Sequence, residues 1–146
     1  LRSLERYAVR CGGGVNHRFD LNSMVLVKDN HRALMSSGTL AGAVLAIRKR
    51  TDRKIEVEVD TLEELQDVLS AEPDMILLDN MGPKMLRQAV AMVREVAPRN
   101  RPFLEASGGI DLKNVREVAR TGVDRISIGW LTHSRKAVDF SLEMKG

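Results

Sequence analysis

Five times along this chain a short run of branched, apolar residues ends in a polar or acidic one and gives way to a stretch with helical spacing. That repetition limits the fold more than any other feature. The apolar runs centre near residues 26, 57, 77, 104 and 126, too close together for separate domains, and helix-length segments join them. Strands connected in this way run parallel, with right-handed crossovers. An open doubly wound sheet and a piece of an α/β barrel both satisfy the pattern. The barrel is favoured because each strand has a branched body and a polar end, which fills a barrel interior and decorates its C-terminal face. The expected class is therefore α/β, a partial or open α/β barrel of about five parallel βα units.

The expected strands lie over 24–28, 54–60, 74–80, 103–106 and 124–129. Helices are expected over 1–10, 39–50, from 61 onward, over 83–96, over 112–120 and around 136–144. Local chemistry marks several of their ends. Thr61 and Glu64 form a Thr-x-x-Glu capping box. Pro83 suits a first helical turn, where its missing N–H has no partner to lose. Cys11-Gly12-Gly13-Gly14 should end the first helix, since glycine supplies the left-handed cap conformation. No N-cap precedes Leu1, so the expectation is one domain over 1–146, cut from something longer.

Composition excludes some classes. A chain of 146 residues can bury roughly 70% of its unfolded surface, enough for one core. No apolar run approaches the ~18 residues of a membrane span, and nothing resembles a signal peptide. Cys11 has no cysteine to pair with, which points to a reducing, cytoplasmic setting. The net charge of +3 favours an anionic partner, but basic residues are spread along the chain and aromatic residues make up 3% of it, so small anions fit better than nucleic acid.

Parallel strands bring their C-terminal ends to one mouth. There the sequence places Lys28 to His31, Glu58 and Asp60, Asp79 and Asn80, Ser107 to Gly109, and Gly129 to His133. The last two sets follow the final pair of strands, the usual phosphate position in such barrels. Gly108 and Gly109 let main-chain N–H groups approach an anionic oxygen, and a helix opened by Asp111 would direct its positive end there. Glu56 and Glu58 share one strand face opposite Ile55, Val57 and Val59, so at least one carboxylate should face inward and require a partner. A cation, a sugar hydroxyl or Lys28 would each supply one. Asn16-His17-Arg18 forms a separate cationic cluster. His17, His31 and His133 lack metal-ligand spacing, and no nucleophile elbow is present.

Six motifs then stand in a telling order: Gly12-Gly13-Gly14-Val15-Asn16-His17-Arg18, Lys28-Asp29-Asn30-His31, Ile55-Glu56-Val57-Glu58-Val59-Asp60, Leu77-Leu78-Asp79-Asn80-Met81, Glu105-Ala106-Ser107-Gly108-Gly109-Ile110 and Ser127-Ile128-Gly129-Trp130-Leu131-Thr132-His133-Ser134. Together they resemble quinolinate phosphoribosyltransferase, the carboxylating nicotinate-nucleotide pyrophosphorylase, over the whole chain. The resemblance implies a barrel portion without the family's N-terminal sandwich domain, and a homodimer or hexamer at full length. It implies quinolinate and phosphoribosyl pyrophosphate as substrates, Mg²⁺ as cofactor, and no nucleic-acid or membrane partner. By resemblance, His17, Arg18 and Lys28 meet the quinolinate carboxylates. Glu58 and Asp79 hold the ribose hydroxyls and hydrated Mg²⁺ without ligating the metal directly, which makes Lys28, Glu58 and Asp79 the catalytic set. Ser107, Gly108, Gly129 and His133 grip the 5′-phosphate.

The resemblance further implies an Arg-Lys pair before the first helix and an Arg from a neighbouring subunit's N-terminal domain, neither of which falls within these residues. Asp20 is a departure, a carboxylate two positions beyond Arg18. Two alternatives accompany this expectation: a related phosphoribosyltransferase with another acceptor, and a non-catalytic phosphate-binding or assembly fragment.

Overall fold

Alternation with period two decides which side of each strand meets the helices. In the computed structural model, which describes residues 2–16, 24–28, 38–133, 139 and 141–144, the strands are β1 (Val25–Val27), β2 (Ile55–Val59), β3 (Met75–Asp79), β4 (Phe103–Ser107) and β5 (Arg125–Ile126). They form one parallel sheet in the order β1-β2-β3-β4-β5. Every crossover moves one strand in the same direction. With right-handed connections this sets the helices that join the strands on one face, the arrangement of a barrel wall and not of a doubly wound sheet, whose order reverses midway.

The helices are α1 (Arg2–Cys11), α2 (Leu40–Arg48), α3 (Leu62–Leu69), α4 (Pro83–Val96), α5 (Val115–Ala119) and α6 (Trp130–His133). Their buried faces pack on alternate strand residues. Leu40 and Val44 of α2, Leu65 and Val68 of α3, and Leu86, Ala89 and Val93 of α4 share a core with Val27, Ile55, Val57, Val59, Ile76, Leu78, Leu104 and Ala106. The cap expected at Thr61 forms, and Thr39 caps α2 in the same way. Thr39 Oγ1 accepts from Gly42 N–H at 3.0 Å and Thr61 Oγ1 from Glu64 N–H at 3.2 Å. Glu64 reaches back to the N–H of Asp60, one residue beyond the capping residue.

Three expected elements differ. The helix expected from 112 starts at Val115, because Asp111 and Asn114 bind each other's neighbourhood as a turn: Asp111 Oδ1 accepts from Lys113 N–H at 2.7 Å and Asn114 Oδ1 from Asp111 N–H at 2.9 Å. The last strand holds two residues in place of six. Finally, a short helix stands at Trp130–His133, while the described part of the helix expected over 136–144, Asp139 and 141–144, is not helical. Helix α1 matches its expectation, and Gly13 at φ 81° supplies its left-handed cap. Its apolar residues Leu4 and Tyr7 are 67% and 59% exposed.

Candidate phosphate cleft and carboxylate mouth

The sheet face turned away from the helices carries the charge. Strand register puts Glu58, Leu77, Glu105 and Arg125 in one row across β2 to β5, and Lys28 immediately follows β1. Acids on the inner strands thus have cations on the outer ones. Lys28 Nζ meets Glu58 Oε2 at 2.8 Å, and Arg125 Nη1 lies 3.8 Å from Glu105 Oε2. Glu56 of β2 and Glu105 of β4 are almost wholly buried, while Glu58, two residues along β2 from Glu56, is partly buried. Lys28, one of the partners weighed for Glu58, is in place.

At the C-terminal ends of β4 and β5 the chain opens a cleft of about 510 Å³. Ser107, Gly108, Gly109, Ile110 and Asp111 line one side, and Ser127, Gly129 and Trp130 the other. Among the described residues no hydrogen bond engages the N–H of Gly108, Gly109 or Ile110. Three consecutive main-chain donors at one cleft suit an oxyanion. Asn114 holds the loop in shape by donating from Nδ2 to the Gly109 carbonyl at 2.9 Å while accepting from Asp111 N–H.

This assigns the loop's order to side-chain hydrogen bonds. The five-residue α5 begins four residues after Asp111, so the helix that Asp111 was expected to open does not start there. Gly108 has a second reason to be glycine. It sits at φ 87°, and a Cβ there would stand 2.8 Å from the main-chain nitrogen of Asn80. Next to the cleft, Asp79 ends β3 opposite Ser107 and accepts from Asn80 Nδ2 at 2.7 Å.

The model of the family described as quinolinate phosphoribosyl transferase, C-terminal domain, matches residues 1–143. The chain belongs to that family. Two relatives of this quinolinate phosphoribosyltransferase domain are the probable carboxylating nicotinate-nucleotide pyrophosphorylase of Methanocaldococcus jannaschii, 42% identical over 99% of this chain and 51% of that protein, and the Mycobacterium leprae enzyme of the same name, 44% identical over 99% and 50%. The solved structure of NadC from Streptococcus pyogenes superposes with a TM-score of 0.83 at 38% identity, covering 99% of this chain and 49% of that one. The chain spans about half the length of the curated relatives it matches.

Within this quinolinate phosphoribosyltransferase domain, Lys28, Glu58, Asp79, Ser107, Gly108 and Gly129 all lie at the C-terminal ends of the sheet strands or in the loops that follow. His133 ends α6, the helix that follows Gly129. His17 and Arg18, together with Asp20 and His31, lie outside the described residues. Sequence reasoning overlooked Asn114 and Ser127 as shapers of the cleft, whereas Trp130 falls in the stretch it placed at the mouth. A usable signal existed for Asn114, since Asp-x-x-Asn between a strand and a helix is turn chemistry. Among the described residues no group of three or more His, Cys, Asp or Glu could cage a metal ion. Glu58 and Asp79 on neighbouring strands instead fit the mode in which Mg²⁺ keeps its waters and leans on one or two carboxylates plus substrate phosphate.

Proposed function

We propose that the chain supplies the phosphoribosyl-transfer site of an enzyme that joins quinolinate to phosphoribosyl pyrophosphate, giving nicotinate mononucleotide, pyrophosphate and CO₂. The observation that carries this reading is the shared mouth: an oxyanion cleft with open main-chain donors stands beside inward carboxylates, in a chain similar to carboxylating nicotinate-nucleotide pyrophosphorylases. Ser107, Gly108, Gly129 and His133 take the 5′-phosphate. Glu58 and Asp79 take the ribose hydroxyls and favour the positive charge that develops at the anomeric carbon as pyrophosphate departs. His17, Arg18 and Lys28 orient the quinolinate dianion so that its ring nitrogen faces that carbon.

Lys28 meets Glu58 and carries three N–H donors, so a substrate carboxylate bound to it is tied to the group that faces the ribose. Glu58 and Asp79 would hold Mg²⁺ through water, and the ion, when bound, offsets charge on the departing pyrophosphate. Loss of the 2-carboxylate as CO₂ leaves an electron pair on the ring, stabilised by the adjacent pyridinium nitrogen, and that carbon then takes a proton. The protein's share is positioning and electrostatics, with no covalent nucleophile.

One domain over 1–146, a cytoplasmic setting, and small-molecule partners with no nucleic acid belong to the same proposal. So does a homo-oligomer, for which the exposed Leu4 and Tyr7 of α1 offer apolar surface. Among the described residues no helix is long and apolar enough to cross a membrane. Product chromatography is the test: the natural-length protein, given phosphoribosyl pyrophosphate and Mg²⁺, should form nicotinate mononucleotide from quinolinate and none from nicotinate. Product from nicotinate, or no nucleotide from a folded sample, would overturn the assignment.

A further inference from the structure

Asn80 touches both halves of the mouth. It directly follows β3 and adopts φ 52°, a left-handed conformation that Asn tolerates better than most residues with a side chain. Turned back by that conformation, its Nδ2 donates to Asp79 Oδ2 at 2.7 Å. Its main-chain N–H donates to the Ser107 carbonyl at 3.0 Å, and the Gly108 main chain packs so closely that no Cβ fits between them.

We propose that Asn80 is a positioning residue that fixes the Asp79 carboxylate relative to the phosphate cleft, holding one oxygen and aiming the other into the mouth. This rests on the reading of Asp79 as the group that faces the ribose. A carboxylate on a strand end is otherwise free to rotate about two side-chain bonds, and misaiming a catalytic group by an ångström slows a reaction substantially. If Asn80 served only the left-handed turn, glycine would do equally well.

Two substitutions separate these roles. Asn80→Gly keeps the turn and removes the side-chain donor, while Asn80→Asp keeps size and turn but presents an acceptor to Asp79. In the natural-length protein both should lower kcat about tenfold or more, with KM for phosphoribosyl pyrophosphate within about threefold, since the cleft donors remain. Parental kcat in folded Asn80→Gly would overturn the proposal, as would a lowered melting temperature with kcat preserved. A readout independent of turnover is the side-chain amide signal of Asn80 in the ligand-free protein. It should stand apart from exposed asparagine amides and move on Asp79→Ala, and an unmoved signal would overturn the tie even if the parent makes no nucleotide. A parent that makes no nucleotide while the signal does move removes the functional reading and leaves the tie standing.

Discussion

Gly108 and Gly109 are neighbours with similar backbones and different obligations. Both have positive φ, at 87° and 60°, so alanine at either meets the left-handed penalty of about 1 kcal/mol. Only Gly108 also faces Asn80; a Cβ on Gly109 meets nothing within 4 Å. Gly108→Ala should therefore destabilise the protein by about 2 kcal/mol or more and weaken inorganic phosphate binding at least about tenfold, whereas Gly109→Ala should cost about 1 kcal/mol and largely keep it. Urea unfolding with phosphate titration checks this; equal effects at the two glycines would mean that the Asn80 contact does not matter. The glycine pair was legible from sequence, but the residue that one of them must clear was not, because it follows a different strand.

At the scale of elements, strands begin with a recurring clasp. Asp74, just before β3, accepts from the N–H of Ile55 on β2 at 2.9 Å and donates its own N–H to the Ile55 carbonyl. Asp124, just before β5, does the same to Leu104 of β4. Each carboxylate also meets an arginine, Arg48 at 2.9 Å and Arg101 at 2.6 Å. The hydrogen bond from Arg101 holds the Asp124 carboxyl below its ordinary range, helped by the Leu104 N–H and opposed by partial burial. A carboxyl with a depressed folded-state pKa stabilises the fold above its unfolded value, near pH 4, and loses that contribution as pH falls through the folded value. Asp124→Asn should accordingly cost about 1 kcal/mol at pH 7, given solvent screening of the partly exposed pair, and less at pH 2. Denaturant melts at the two pH values decide it, and a difference that persists undiminished in acid would refute the ionic role. Sequence showed acids before these strands; it could not show which backbone they clasp.

For the molecule as a whole, stability should fall from the centre of the sheet outward. β3 pairs along its length with β2 and β4, while β1 pairs over three residues and β5 over two. Amide exchange in this chain should be slowest in β3 and several orders faster in β5, and equal protection would show that the outer strand unfolds only with the rest. Parallel sense and the apolar face of each strand follow from the sequence alone, because period-two alternation and caps such as Thr61 are local signals that each segment carries by itself, whereas the sequential strand order that separates a barrel wall from a doubly wound sheet came with the tertiary structure. Tertiary structure alone decided what the charged side chains meet. Lys28 finds Glu58 thirty residues away, and Gly108 closes against Asn80. Such encounters depend on the register and turn geometry that packing imposes between distant segments, which no local pattern encodes.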